Sequence, residues 1–378
     1  MHTQYDVVVA GIGGMGSAAA AHCAARGSRV LGIEQFSRGH VLGASSGKSR
    51  VIRRAYFENA AYVPLVNRAY ELWRDLEAQT GDRVLYTDGM LTAGYHGSDI
   101  VANAAAAAQL HDLNVEYLEA RDIRARYPAL HVADDDYGVF EPEGGFVVPE
   151  TAIAAHCAVA EKHGAELRFE VGVKRWEMDG DIVRVELSNG DSLRTARLVL
   201  TLGPWFKKTM EALGVPMRVQ RNVVAWFRPE RPLGPRELPT FLIDRRGDDA
   251  PLYGFPDVGD GVKAAFHGRG VTTDAESIDR DIDRATDVDP IAAAFDLWAP
   301  GAAHAFVEAK ACMYSLTPDE HFVIDRHPFD PRIVICGGFS GHGFKFASVV
   351  GELAADLALE GGTDHDIAFL SARRFKEK

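Results

Sequence analysis

The stretch YDVVVAGIGGMGSAAAAHCAARGSRVLGIE, residues 5–34, decides the fold. Residues 5–10 are apolar and rich in valine, which is typical of a buried parallel strand. A glycine-rich turn follows, and the alanine-rich segment 17–26 predicts a helix that ends at Gly27. Residues 29–33 predict a second strand, which leads to Glu34. This order of strand, turn, helix, strand and acid indicates a βαβ unit that binds a dinucleotide.

The glycines of the turn have separate tasks. Gly11 permits the tight turn, Gly13 lets the backbone approach a pyrophosphate, and Gly16 lets the helix pack close to the strand. The amino end of the helix offers N–H groups to phosphate, and Glu34 is placed to accept hydrogen bonds from a ribose. NAD and FAD use the same unit, so the motif leaves the dinucleotide open. No regular series of strand-helix units follows Glu34, which weakens the case for an NAD dehydrogenase.

The composition is ordinary for a soluble globular protein. The chain has 378 residues, of which 47% are hydrophobic and 25% charged. Its formal net charge of −13 argues against binding to nucleic acid or to an anionic membrane surface. The four cysteines form neither a metal-ligand pattern nor a disulfide framework. The sequence has no basic leader and no apolar run of about 18 residues, so we expect a cytoplasmic protein without a membrane span.

For the whole chain we predict the α/β class, in an α+β arrangement of two domains. Helices are predicted over 59–79, 99–111 and 149–163. Strands are predicted over 85–93, 166–173, 181–187, 192–194 and 197–202, and the short strands between 222 and 267 suit an antiparallel sheet. We predict a discontinuous Rossmann-like domain, formed by residues 1–84, 145–215 and 312–378. An antiparallel β-sheet substrate domain, formed by 85–144 and 216–311, is inserted into it.

A glycine-rich segment near the carboxyl end, GGFSGHGFK at 337–345, places His342 and Lys345 among glycines. Backbone without Cβ atoms can lie against a flat or anionic ligand. A turn between a strand at 333–336 and a helix at 344–359 explains the glycines equally well. Three arginines at 50, 53 and 54 suit either a solvated surface or an anion site.

Three further polar residues lie in the predicted antiparallel sheet. Lys263 and His267 are four residues apart in an apolar strand and therefore share one side of it. Tyr253 would lie on a neighbouring strand. From the residue pattern alone, each of the three fits a structural role as well as a catalytic one.

Six motifs spread over nearly the whole chain carry a family resemblance. They are GIGGMG at 11–16, SRVIRRAYFE at 49–58, YGFP at 253–256, Lys263 with His267, ACMY at 311–314 with DEHFVID at 319–325, and GFSGHGFK at 338–345. The chain resembles the monomeric sarcosine oxidase and N-methyltryptophan oxidase family, which includes pipecolate/sarcosine oxidases and lies in the glycine oxidase and D-amino acid oxidase superfamily. The motifs after residue 310 are the most specific.

The resemblance implies an FAD cofactor in a Rossmann-like FAD-binding domain, attached through the sulfur of Cys312. It implies that Arg53 and Lys345 hold the substrate carboxylate, that Glu58 pairs with Arg53 in the open site, and that Lys263 lies over the flavin and activates oxygen. Around the substrate and flavin ring it places Tyr253, His267 and Tyr314. The candidates for cofactor binding are Gly11, Gly13, Gly16, Glu34, Arg50, Val173, Cys312, Gly341, Gly343, Phe344 and Lys345.

The implied activity is that of a monomeric FAD-dependent oxidase of N-methyl or other secondary amino acids, similar to sarcosine. The amine would be oxidised to an imine that hydrolyses, and O2 would be reduced to H2O2. A related dehydrogenase that uses an electron carrier, an oxidase of a cyclic or bulkier amino acid such as pipecolate or N-methyltryptophan, and a nucleotide-binding protein without turnover remain alternatives. Ser45, Ser46, Arg54 and the charged loop 245–249 depart from the family pattern, which leaves the substrate open.

Overall fold

The computed structural model describes residues 4–375, and all structural statements below concern that range. Its strands β1 to β20 are Tyr5–Ala10, Val30–Ile33, Arg50–Ile52, Leu85–Tyr86, Met90–Tyr95, Glu116–Glu119, Asp136–Glu141, Gly145–Val147, Glu166–Arg168, Val173–Asp179, Ile182–Leu187, Ser192–Leu200, Arg218–Arg228, Thr240–Asp244, Leu252–Phe255, Val262–Phe266, Val271–Thr273, Ala305–Leu316, Val323–His327 and Asp330–Gly337. Its helices α1 to α8 are Gly14–Ala25, Val63–Thr80, Asp99–Leu110, Ala120–Arg126, Pro149–Lys162, Lys207–Ala212, Asp289–Trp298 and Ala347–Leu359.

The first sheet has eight strands and a parallel centre in the order β9-β2-β1-β12-β20. β10, β11 and β19 extend it by antiparallel pairing. Helix α1 packs against α5 and α8, so both helices beside α1 come from much later in the chain. The valines of β1 are fully buried, as expected for a central parallel strand. The predicted βαβ unit at residues 5–34 is confirmed.

The second sheet has nine strands in the order β17-β13-β16-β15-β14-β5-β7-β6, with β18 along the other edge of β13. Its pairs are antiparallel except for β5 and β14, which run parallel, so the predicted antiparallel sheet contains one exception. Helices α4 and α7 cover one face, where they share a core with Phe227, Phe241 and Trp298. The opposite face carries the residues of the cavity described below.

Several predicted element boundaries are wrong. The strand predicted over 85–93 is two strands, β4 and β5, which belong to different sheets because Gly89 turns the chain at a φ of +98°. The strands predicted over 192–194 and 197–202 are one strand, β12, whose first half pairs with β11 and whose second half pairs with β1 and β20. The strand predicted over 166–173 ends at Arg168, and Val173 begins the next strand.

The predicted helices are confirmed to within a few residues. Pro64 lies in the first turn of α2 and Gly81 ends that helix in the left-handed conformation, as the propensities of proline and glycine favour. The Ser98 hydroxyl accepts a hydrogen bond from the N–H of Val101 and caps α3. No helix within residues 4–375 combines the length and the apolar composition that crossing a membrane requires.

Candidate functional site

A cavity of about 400 Å³ lies between the two large sheets. It extends from the carboxyl ends of β1 and β2 to the face formed by β13, β15 and β18. Most of the predicted site residues line it: Gly11, Gly13, Glu34, Arg50, Arg53, Val173, Tyr253, His267, Cys312, Tyr314, Gly341, Gly343, Phe344 and Lys345. The carboxyl ends of parallel strands are where open α/β sheets bind ligands.

One end of the cavity is a glycine cradle, formed by residues 11–16 and Glu34. A Cβ atom on Gly16 would lie 1.8 Å from the carbonyl oxygen of Gly11, so α1 packs against β1 only because Gly16 has none. Gly11 has a φ of +89° and lies against the carbonyl of Thr201. A Cβ atom on Gly13, in contrast, would meet nothing within 4 Å, so the cradle leaves open space above this residue.

The polar groups of the glycine cradle suit a dinucleotide. Helix α1 begins at Gly14 without a side-chain cap, and Gly13, Gly14 and Met15 line the cavity. The amino end of a helix presents N–H groups and a positive dipole end to phosphate. The carboxylate of Glu34 accepts hydrogen bonds from the N–H groups of Ile12 (2.9 Å) and Phe36 (3.1 Å), which fixes it at the end of β2. The space above Gly13 and these donors together fit the pyrophosphate and ribose of FAD.

Arg50 and Cys312 meet in the middle of the cavity. Cys312 lies on β18 and is buried, with its Sγ 3.5 Å from a guanidinium nitrogen of Arg50 on β3. The same guanidinium donates to the carbonyls of Ser49 (2.9 Å) and Ala44 (3.2 Å). The guanidinium therefore fixes the loop around Ala44 and Ser49 beside the Cys312 sulfur.

The other end of the cavity is a cation pocket, formed by Arg53, Glu58 and Lys345. Arg53 follows β3, is buried, and donates to both carboxylate oxygens of Glu58 at 2.8 and 2.6 Å. Lys345 lies in the helical turn Phe344–Phe346 before α8 and is also buried. Two cations and one carboxylate share this pocket, so a second carboxylate would find a complementary charge there.

The charges of the cation pocket shift each other's ionisation. Burial is the largest single influence on Glu58 and opposes its ionisation, but the neighbouring positive charges, Arg53 first, and the hydrogen bonds from Arg53 together lower the pKa of Glu58 to about 2. Burial, and then the charge of Arg53, lowers the pKa of Lys345 to about 7, although Glu58 acts in the opposite direction. Groups with such strongly shifted pKa values are concentrated at functional sites.

An aromatic wall stands beside the cation pocket. It consists of Tyr253 on β15, His267 just after β16 and Tyr314 on β18. The ring centroid of His267 lies 6.4 Å from that of Tyr253 and 5.9 Å from that of Tyr314. Burial lowers the pKa of His267 to about 4, so its imidazole is neutral at neutral pH. Gly341 lies against the ring of Tyr314, where a Cβ atom would come within 2.3 Å. The glycine-rich segment thus packs directly on this wall.

Two predicted site residues do not line the cavity. Gly16 is covered by the packing of α1 on β1, which is its predicted task. Lys263 is buried in β16, and its ammonium donates to the carbonyls of Gly47 (2.6 Å) and Ser49 (2.8 Å) and to the Ser49 hydroxyl (3.1 Å). His267 therefore lines the cavity, one residue after the strand ends at Phe266, while Lys263 lies behind the loop 47–49.

Two of the three departures from the family pattern lie outside the cavity. Ser45 lines it, beside Gly14 and Phe344. The side chain of Arg54, however, points into a separate surface hollow, where it contacts Asn67 and Glu143. The loop 245–249 is mostly exposed and does not line the cavity either. The differences from the family pattern at Arg54 and in this loop therefore do not indicate which substrate binds in the cavity.

The sequence analysis missed Glu150, which the structure places on the cavity. Its carboxylate accepts from the N–H groups of Gly47 (2.6 Å) and Lys48 (3.2 Å), and so holds the loop that contacts Lys263. The one local signal is its place in the first turn of α5, where an acid is common for helix stability alone. Nothing in that signal pointed to the cavity.

Comparison with known proteins also indicates an FAD-dependent enzyme. The family described as FAD dependent oxidoreductase matches residues 6–357. The monomeric sarcosine oxidase of Streptomyces avermitilis is 43% identical over 99% of this chain and 98% of its own. The N-methyl-L-tryptophan oxidase of Yersinia pestis (strain Pestoides F) is 33% identical over 98% of this chain and 100% of its own.

Solved structures of similar fold include an amino acid oxidase. NikD, an unusual amino acid oxidase essential for nikkomycin biosynthesis, has a TM-score of 0.86 with 26% identity, over 98% of each chain. The L-proline dehydrogenase of P. horikoshii has a TM-score of 0.86 with 21% identity, over 100% of this chain and 99% of its own, and shows the fold. The chain therefore belongs to the FAD-dependent oxidoreductases, in the family of the monomeric sarcosine oxidases and N-methyltryptophan oxidases.

Proposed function

We propose that this protein oxidises N-methyl or other secondary amino acids with FAD and O2. One observation carries the proposal: a single cavity joins the glycine cradle to the cation pocket. The cradle suits a dinucleotide, and the pocket suits the carboxylate of a small amino acid. Bound FAD supplies the chemistry, by accepting the two electrons and the hydrogen of the substrate N–C–H unit. For an N-methyl substrate, the amino acid, O2 and water give the free amino acid, formaldehyde and H2O2.

The residues of the cation pocket would orient the substrate. Arg53 and Lys345 would bind its carboxylate, with Arg53 exchanging Glu58 for the substrate. The neutral imidazole of His267, together with Tyr253 and Tyr314, would border the amine and exclude water from it. Because the neighbouring cations disfavour a further positive charge, the pocket favours a neutral amine, which is the form that gives up hydride. No side-chain base is required for that step.

Lys263 would supply a positive charge for the reaction with O2. Its ammonium is bonded to three neutral oxygens of the loop 47–49, and no carboxylate is among these partners to cancel its charge. Burial and the charge of Arg50 lower the pKa of Lys263, whereas the three acceptor oxygens favour its protonated form. In that form it would stabilise developing negative charge in the cavity, which is catalysis by preorganised electrostatics. This role distinguishes an oxidase from a dehydrogenase.

The substrate proposal is tested by incubating the purified protein in air with sarcosine, N-methyltryptophan and pipecolate. We expect H2O2 from at least one of them, with an equal amount of formaldehyde from an N-methyl substrate. Reduction of a dye without H2O2 in air would instead establish a dehydrogenase. Failure of every secondary amino acid to bleach the flavin would refute the proposal.

We also propose that Cys312 binds FAD covalently. Cys312 lines the cavity that also contains the glycine cradle, and its Sγ lies next to the Arg50 guanidinium. After precipitation of the protein with acid, the yellow colour should stay in the pellet, and Cys312→Ala should release it. Cys157 lines the same cavity and gives a matched control, because Cys157→Ala should keep the colour in the pellet. A colourless wild-type pellet would refute the covalent link but not FAD binding.

We also propose the domain limits, the cellular location and the oligomeric state. The FAD-binding domain would comprise 1–84, 145–215 and 312–378, and the substrate domain 85–144 and 216–311, although the boundary at 311/312 falls inside β18. We propose that the protein is a cytoplasmic monomer, supported by its similarity to enzymes named monomeric sarcosine oxidase. Limited proteolysis and light scattering test the domain limits and the monomer.

A further inference from the structure

His342 has no role in the proposed reaction, yet both its ring nitrogens are engaged. Nε2 lies 2.9 Å from the backbone carbonyl oxygen of Glu320, and Nδ1 lies 2.5 Å from the hydroxyl of Tyr56. A carbonyl oxygen only accepts, so Nε2 carries the hydrogen and Nδ1 must accept from Tyr56. Burial lowers the pKa of His342 to about 3, which keeps this neutral tautomer at every physiological pH.

The same two residues present oxygen atoms to Lys345. The carbonyl of His342 accepts from the Lys345 Nζ at 2.7 Å, and the hydroxyl of Tyr56 lies 3.5 Å from it. Because the hydrogen of that hydroxyl is directed to His342, its lone pairs are free to face the ammonium. The Tyr56 ring lies 5.1 Å from the same Nζ and adds its negative face.

The backbone around His342 is held in unusual conformations. Glu320 has a φ of 59° and Ser340 a φ of 45°, both in the left-handed region that side chains other than glycine rarely adopt. Such residues persist only where the surroundings fix them, and they are concentrated at functional sites. Here Glu320 supplies the carbonyl that accepts from Nε2 of His342, and Ser340 lies two residues before His342 in the glycine-rich segment.

Lys345 needs this support because its surroundings oppose its charge. Arg53 faces it from the segment after β3, and burial removes it from water; only Glu58, already paired with Arg53, has the opposite charge. His267, from the end of β16, is neutral at neutral pH and gives no compensation. Acceptor oxygens at fixed positions are the remaining means of keeping the ammonium protonated.

We propose that Tyr56 and His342 are positioning residues, which keep the Lys345 ammonium charged and directed at the substrate carboxylate. The inference rests on the proposed function, since it assigns the carboxylate to Lys345. It predicts a pH signature, because loss of an acceptor favours the neutral amine. Below the pKa of Lys345 the ammonium is present with or without the acceptor. Above it, a variant without the acceptor loses the charge at lower pH than the wild type does.

The test compares Y56F with Y62F in the holoenzyme. Both remove one hydroxyl from a buried ring, and the two rings are 5.1 Å apart. The Tyr62 hydroxyl, however, contacts the N–H of Phe322 and the ring of His321 rather than Lys345. Binding of acetate, a carboxylate without an oxidisable amine, is measured by calorimetry from pH 5.5 to 9.

For Y56F we expect the Kd of acetate to rise about tenfold over wild type at pH 8 and by less than about twofold at pH 5.5, as a lost hydrogen bond to a charged group predicts. Y62F should follow the wild-type curve throughout. A Y56F curve equal to wild type, or displaced equally at all pH values, would overturn the inference. If Y56F does not fold, H342N replaces it: asparagine lacks the Nε2–H bond to Glu320 that makes Nδ1 of His342 an acceptor, so its amide NH2 group can donate to the Tyr56 hydroxyl and compete with Lys345 for the lone pairs, and the same pH-dependent loss is expected.

Lys345→Met separates this inference from the proposed function. It should weaken acetate binding strongly at pH 5.5 and less at pH 8, where most of the wild-type Lys345 has already lost its charge. If it leaves acetate binding unchanged, Lys345 does not hold the carboxylate and the proposed function fails at this residue. If it weakens binding while Y56F and H342N follow the wild type, only the positioning role of Tyr56 and His342 fails.

Discussion

The glycine cradle and the cation pocket lie at opposite ends of one cavity and are built on different principles. The cradle is made by the absence of side chains: Gly11 and Gly16 let the backbone of β1 and α1 approach closely, and Gly13 leaves space open. The cation pocket is made by charged side chains whose pKa values are far from their usual range. Binding at the cradle thus depends on backbone shape, and binding at the pocket depends on the balance of a few buried charges.

The cradle and the pocket also differ in how far apart their residues lie in the sequence. The cradle residues all lie within 11–34, although Gly11 and Gly16 pack on Thr201 and Gly14 packs on Phe344. In the pocket, Tyr56 and His342 are 286 positions apart and Tyr56 and Lys345 are 289 apart. The pocket therefore forms only when the first and last segments of the chain pack together, whereas the cradle is encoded in one unit.

The largest effect should come from removing a charge from the pocket. Arg53→Met should lower kcat/KM about 10³-fold, because truncating one member of a buried, hydrogen-bonded charge pair costs about 2–5 kcal/mol. Arg54→Met is the matched control: its guanidinium lies outside the cavity, so kcat/KM should stay within about twofold of the wild type. Steady-state kinetics measures both. Similar losses in the two variants would show that the pocket is not where the substrate binds.

Changes in the cradle should divide into two kinds. Gly16→Ala places a Cβ atom on the Gly11 carbonyl and should lower the free energy of unfolding by about 1–3 kcal/mol or more, as overpacking does. Gly13→Ala meets no protein atom and should leave that free energy nearly unchanged, while it lowers the ratio of bound flavin to protein. Urea unfolding and the flavin absorbance of the purified proteins measure the two quantities. Equal stability losses would mean that Gly13 is structural, not a cofactor contact.

The same division explains what could be predicted from the sequence. Residues 5–34 predicted the βαβ unit because each of its signals is local: a continuous apolar run, a glycine turn, a helix end and a terminal acid. At 85–93 the Asp88-Gly89 pair interrupts the apolar pattern and is a turn signal that the prediction of one strand overlooked. Which sheet each half joins depends on pairing with distant strands, so that part was not predictable.

The family resemblance predicted more of the site residues than the local sequence pattern did. Arg53 and Lys345 stand far apart in the sequence, and nothing in either segment alone indicates that they share a pocket. Glu150 was missed because an acid in a first helical turn is ordinary. The position of Lys263 behind the loop 47–49 depends on the register of β16 with β13 and β15, which periodicity does not determine.

The smallest of the expected effects is the pH response of the pocket in the wild type, and it tests the electrostatic side of the comparison directly. Burial and Arg53 lower the pKa of Lys345 to about 7, so its ammonium is present below that pH and is lost as the pH rises through it. Glu58, with a pKa of about 2, stays ionised and contributes no change between pH 5.5 and 9. The affinity for acetate should therefore be level below pH 7 and fall toward about tenfold per pH unit above it. Lys345→Arg replaces the ammonium by a guanidinium that stays charged over this range, so its acetate affinity should lose the decline above pH 7. A decline that persists in Lys345→Arg would assign the titration to another group and remove Lys345 from the account of the pocket.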